Sequence, residues 1–153
     1  MKIALISDVH ANLIALRAVL EDMEGRDVGE ILSAGDVVGY YPFPNETISL
    51  FRERSIISIQ GNHDRAVLSA GDPRMNPWAN SAVSWTLAHL SESSVEYISS
   101  MPRHRSMSIG GTSIAVYHGA PFDDDYYLFE EEATEDVLQS TGCSLLVLGH
   151  THV

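Results

Sequence analysis

Five short apolar runs in this chain each stop on a single polar residue, and that recurrence constrains the fold more than any other feature. They read Ala-Leu-Ile-Ser before Asp8, Leu-Ser-Ala-Gly before Asp36, Ser-Ile-Gln-Gly before Asn62, Ile-Ala-Val-Tyr before His118 and Leu-Val-Leu-Gly before His150. Short apolar runs closed by turn residues are strand-like. Strands are expected at Lys2 to Ser7, Glu30 to Ala34, Ile56 to Gln60 and Ser144 to Leu148. Between them lie helical patterns. Leu13, Leu16, Leu20 and Met23 recur at helical spacing behind a cap at Asn12, and a second helix runs from Pro44 to Arg54, opened by Pro-Asn. Further helices are expected at Asp64 to Ala70, Asn80 to Leu90 and Glu92 to Ser100, the last capped by Ser91 and stopped by Pro102. Gly110-Gly111 between Arg105 to Ile109 and Thr112 to Tyr117 is a hairpin signal, so part of the sheet is antiparallel. Glu130 to Gln139 reads as an acidic helix. Strands alternating with helices argue for an α/β fold with mixed strand directions.

In open α/β sheets, ligands sit just beyond the carboxyl ends of the strands, so five polar residues placed there can converge on one site. Asp8-Val9-His10 and His150-Thr151-His152 both have the i, i+2 spacing that points two side chains the same way on extended backbone. Each piece alone has a bland reading. Asp-x-His is usually a strand-end turn, and Gly-Asn-His-Asp suits an Asx turn. The conjunction changes this, because five of the seven histidines fall inside these motifs.

The chain has 153 residues, 44% of them hydrophobic, enough for one core, and a single domain over 1–153 is expected. Cys143 is the single cysteine, so a disulfide within the chain and a thiolate-rich metal site are both excluded, and any metal must be held by nitrogen and oxygen. No run approaches the ~20 apolar residues of a membrane span, and Ile3 to Ile6 meets Ser7 and Asp8 too soon for a signal peptide. A cytoplasmic protein with no membrane partner is expected. Acidic residues outnumber basic ones 21 to 9, and the nearest approach to a basic stripe is Arg103, His104 and Arg105, which disfavours nucleic acid as the main partner.

Taken together, Asp8-x-His10, Gly35-Asp36-x-x-Gly39, Gly61-Asn62-His63-Asp64, His118-Gly119 and Gly149-His150-Thr151-His152 resemble the calcineurin-like metallophosphoesterases. Gly39 to Glu46 and Val116 to Pro121 further resemble the small bacterial and archaeal phosphodiesterase branch of that superfamily. The resemblance implies two stacked mixed sheets flanked by helices, a four-layer αββα fold. It also implies two divalent metal ions, with Mn²⁺ placed first and Fe, Zn²⁺, Ni²⁺ or Co²⁺ as alternatives that N and O ligands suit. Metal one would take Asp8, His10 and His152, and metal two Asn62, His118 and His150, with Asp36 bridging them. A hydroxide between the two ions would attack phosphorus in line. His63 is matched to donation at the leaving oxygen, with Asp64 orienting its ring.

Two departures bear on function. Protein-phosphatase members follow their Gly-Asp segment with a phosphate-gripping arginine and have Glu after Gly-Asn-His, whereas this chain has Tyr40-Tyr41 and Asp64, which argues against a phosphoprotein substrate. Relatives continue past Gly-His-x-His with strands that complete the second sheet, so Val153 is expected to be a truncation point and the second sheet incomplete. The function expected is a phosphodiesterase acting on a small phosphoester. The alternatives are a protein-binding scaffold, as in the retromer subunit resembling this family, and a metal-dependent nuclease. The scaffold lineage lacks the histidine that stands here as His63.

Residues outside the motifs carry structural expectations. His89 and His104 are packed or surface histidines, and Asp123-Asp124-Asp125 is a solvated loop left without a role. Trp78 and Trp85, seven apart on one helical face, are expected in core or substrate-cap packing.

Overall fold

The computed structural model describes residues 2–152; Val153, the expected truncation point, lies outside the described residues. The first sheet holds β1 (Lys2–Ile6), β2 (Val28–Ser33) and β3 (Ile57–Ser58), all parallel in the order β1-β2-β3. Its register pairs Ile6 with Ser33 and Ser33 with Ser58, so the three strands end level with one another. Asp8, Asp36 and Asn62 therefore emerge along one edge. The second sheet is built from β4 (His104–Ile109), β5 (Thr112–Tyr117) and β6 (Leu145–Val147), with β4 antiparallel and β6 parallel to β5. Gly110 and Gly111 turn the β4–β5 hairpin with φ of 59° and 86°, the positive values that a two-residue turn matching strand twist requires.

The sheets pack face to face. Leu32, Ala34 and Ile59 from the first meet Ile114, Val116 and Val147 from the second in one buried cluster. Helices α1 (Leu13–Met23), α2 (Pro44–Glu53), α3 (Asn62–Leu68), α4 (Pro77–His89) and α5 (Glu92–Ser100) supply the larger core, through Leu16, Leu20, Ile48, Phe51, Val67, Val83 and Ile98. Burial of each such side chain stabilises the fold by ~1.5–3 kcal/mol. Local signals start these helices where the sequence places them. Asn12 and Ser91 accept the N–H groups of Ala15 and Ser94, at 3.1 and 3.2 Å. No helix among the described residues is long and apolar enough to cross a membrane.

Several expectations are corrected. Glu130 to Gln139 is not one helix but a 3₁₀ turn (Glu130–Glu132) followed by α6 (Glu135–Ser140). None of their residues is buried, and a short acidic segment without an anchored apolar face has little to hold a continuous helix together. Helix α4 starts at Pro77, not Asn80, because Asn76 accepts the Ala79 N–H at 2.9 Å and proline suits the first helical position. Trp78 is 84% exposed and Trp85 40%, so neither is core; Trp85 instead stacks on His89 at 3.9 Å between ring centroids.

Candidate metal centre

The loops that leave β1, β2 and β6 turn sharply, and the residues at the turns are themselves the candidate ligands. Asp8, His10, Asp36, His150 and His152 have φ of 54°, 51°, 53°, 71° and 60°. This corrects the expectation of extended backbone at Asp8-Val9-His10 and His150-Thr151-His152. A left-handed conformation costs a non-glycine residue ~1–2 kcal/mol, and such strain gathers where surrounding bonds over-determine it. Those bonds are present. Asp8 N–H donates to Gly35 O at 3.0 Å, His10 N–H to Asp36 O at 2.8 Å, and His150 N–H to the Asp8 carboxylate at 3.1 Å.

Among the described residues, three groups of side chains bring ligand atoms within 4.8 Å of one another: Asp8, His10 and His152; His10, Asp36 and His63; and Asp36, His118 and His150. Asp36, 1% exposed, stands between the outer two groups, with Oδ2 3.6 Å from His10 Nε2 and 3.5 Å from His118 Nε2. Asn62 Oδ1 lies 2.9 Å from His118 Nε2. His152 Nε2 lies 3.2 Å from Asp8 Oδ1 and 3.2 Å from His10 Nε2. Every residue expected to bind metal thus reaches one cluster.

The chemistry of this donor set fits cations. His118 Nδ1 is 2.7 Å from Ala34 O and His10 Nδ1 is 3.3 Å from Val38 O; both must be N–H donors there. The remaining nitrogen of each neutral ring then presents a lone pair inward, where it meets acceptor oxygens of Asp36, Asn62 and Asp8. Lone pairs facing lone pairs in a buried site need a proton or a metal ion between them. His150 follows the same rule, with Nε2 donating to Asp125 O at 3.1 Å. Without metal, a proton takes the place. Burial opposes a charge on His118, but the Asp36 carboxylate outweighs it and raises the ring to about 9. Burial likewise opposes ionisation of Asp36, yet His118, then His10 and His63, hold its carboxyl far below the usual range.

Asn62 and His63 open α3, and both face the site. Asp64 does not orient the His63 ring as expected. Its carboxylate accepts the N–H groups of Val37, Val38 and Gly61, at 3.2, 3.1 and 2.9 Å, tying the Asp36 loop to the Asn62 loop. Burial, then the nearby Asp36 charge, pushes Asp64 up to about 7 against those three donors. The two loops meet so closely that a Cβ on Gly61 would fall 2.0 Å from Asp36 Oδ1.

A cleft of about 350 Å³ opens beside the cluster, lined among others by Tyr40, Asn62, His63, Arg74, Tyr127 and His150. Several of its features were not legible beforehand. Asp125, from the acidic run read as solvated loop, pairs with Arg65 and Arg74, and its carbonyl is the His150 partner. Tyr127 stacks on His150 at 3.8 Å. Nothing in local spacing marks these residues, because their partners are distant in sequence.

Comparisons with known proteins point to one family. The calcineurin-like phosphoesterase superfamily domain matches residues 1–153. An uncharacterised protein from Methanocaldococcus jannaschii is 34% identical over 99% of this chain, which spans 62% of that protein's length. The structure of a metallophosphoesterase from Sphaerobacter thermophilus superposes with a TM-score of 0.79 at 39% identity, over 100% of this chain and 61% of that one. A hypothetical protein from Pyrococcus horikoshii OT3 shares the fold, with a TM-score of 0.84 at 18% identity over 97% of this chain and 69% of that one. The chain belongs to the calcineurin-like phosphoesterase superfamily.

Proposed function

We propose that this chain carries the metal centre of a phosphodiesterase acting on a small phosphoester. The observation that supports the reading most is the meeting of Asp8, His10 and His152 on one side of Asp36 and of Asn62, His118 and His150 on the other. The first set would hold one divalent cation and the second another, with Asp36 shared; Mn²⁺ is the first metal to test. When bound, two such ions supply a strong nucleophile from water at neutral pH and neutralise phosphate charge.

The protein's own groups do the rest. His150 and His118 are oriented by carbonyls behind them, so their metal-facing nitrogens are fixed before any ion arrives. His63 lines the cleft, and burial lowers its ring to about 4, so it stands neutral and able to donate an N–H to a leaving oxygen. The absence of an arginine after Gly35-Asp36, where Tyr40-Tyr41 stands, favours a small ester over a phosphoprotein.

The test compares Asn62→Ala with His63→Ala on the metal-loaded protein. Asn62→Ala should lower metal content and recover in excess metal. His63→Ala should keep its metal and lose ~10² to 10⁴ in kcat, least for a nitrophenolate leaving group and most for an alkoxide. Equal slowing of both esters would remove His63 as the leaving-group donor. No turnover by wild type across diesters, monoesters, cyclic nucleotides and pyrophosphate-linked dinucleotides with any of five metals would overturn the enzyme reading.

A further inference from the structure

His63 is held in an unusual way for a ring with a chemical task. Its Nδ1 is buried without a hydrogen-bond partner among the described residues, and the neighbouring carboxylate that could have anchored it, Asp64, is engaged by three backbone N–H groups. What touches the ring is aromatic. Tyr40 lies at 4.6 Å between centroids with a 55° tilt, and His10 at 4.7 Å in an edge-to-face arrangement. Gly39 makes the fit, since a Cβ there would fall 2.8 Å from His63 Nδ1 and 2.9 Å from His10 Nδ1, at a φ of +139° open only to glycine.

The Gly39-Tyr40 segment is itself fixed from both sides. Thr86 Oγ1 donates to Gly39 O at 2.9 Å, and Tyr41 N–H donates to His10 O at 2.9 Å. Tyr40 thus forms a braced wall, half in the cleft, against a ring whose Nδ1 has no hydrogen-bonded anchor among the described residues.

We infer that Tyr40 is the positioning residue for His63, replacing a hydrogen-bonded partner by ring packing. This rests on the proposed role of His63 at the leaving group. Aromatic pairs contribute orientation as well as area, and displacement of a donor by about 1 Å can cost on the order of 10²-fold in rate. Phenylalanine supplies the same ring face, so the hydroxyl is dispensable for this task.

The experiment uses Tyr40→Phe, Tyr40→Ala, His63→Ala and the Tyr40→Ala/His63→Ala double variant, each loaded with Zn²⁺. NMR of the His63 ring Cε1–H, assigned by its loss in His63→Ala, reads position without turnover through its nuclear Overhauser contact with the His10 ring, because removing the Tyr40 ring changes the chemical shift by itself. Tyr40→Ala should weaken the His63–His10 contact and keep the wild-type zinc content, and Tyr40→Phe should restore that contact. In kinetics, Tyr40→Ala should lose ~10- to 10²-fold in kcat on an alkyl ester and less on a nitrophenyl ester, and add nothing in the His63→Ala background. An unchanged His63–His10 contact in Tyr40→Ala, loss of zinc from it, or losses that multiply in the double variant would overturn the inference. If wild type turns over no ester, the proposed function fails, while the His63–His10 contact still decides whether Tyr40 places His63.

Discussion

The backbone N–H of His63 donates to Oδ1 of Asp36 at 2.8 Å, so the residue assigned to the leaving group hangs from the carboxylate assigned to both metals. Position of one is therefore coupled to charge on the other. Asp36→Ala should lower occupancy at both metal sites together, rather than at one. Elemental analysis after gel filtration checks this: full occupancy at two ions per chain would rule out the shared role.

Asp64 makes a separable contribution to stability. Asp64→Asn keeps the shape but sets an amide NH₂ against backbone N–H donors, leaving at least one buried donor of Val37, Val38 or Gly61 without an acceptor. The cost is ~1–3 kcal/mol, and at ~2–4 °C per kcal/mol Tm should fall by roughly 2–12 °C. A thermal melt of the metal-free protein with unchanged Tm would show that the two loops do not depend on this carboxylate.

Metal uptake should depend on pH through His118. Its folded pKa, about 9, lies above the ordinary 6.5, so pairing with Asp36 contributes its full stability below 6.5 and loses it as pH rises through about 9. A metal ion must displace that proton. Mn²⁺ affinity should therefore rise by about tenfold per pH unit from this one group between 6.5 and 9, then level off. Calorimetric titrations across that window test the slope, and an affinity flat in pH would mean that His118 is neutral in the metal-free protein.

Asp125 should matter through His150. Asp125→Ala frees Arg65 and Arg74 and loosens the carbonyl that orients the ring, so affinity at the site with His118 and His150 should fall by ~10- to 100-fold. Asp124→Asn is the control, because its pairing with Arg103 is on the surface and contributes little. Equal effects of the two variants on metal affinity would contradict the support role.

The fold and the cluster were legible to different depths. Runs ending in Asp8, Asp36, Asn62, His118 and His150 sufficed for strand ends and for candidate ligands, because apolar periodicity and glycine-flanked polar residues are local signals. Helices α1 and α5 were equally plain, each having its cap and its apolar face within one segment. Spacing alone suggested extended backbone at Asp8-Val9-His10, and that failed: the left-handed turns there are held by bonds to Gly35 and Asp36, which no local pattern contains.

The residue types and order along the chain determined which side chains could gather and what chemistry they offer. Only the tertiary structure decided how they are held. Asp64 turned from His63 to the backbone because three N–H groups from two loops converge on it, and His63 was left to Tyr40 and His10. Asp125 moved from a solvated run to the rim of the site because Arg65 and Arg74 meet it there. Such choices depend on distances between segments tens of residues apart, and packing alone sets those distances.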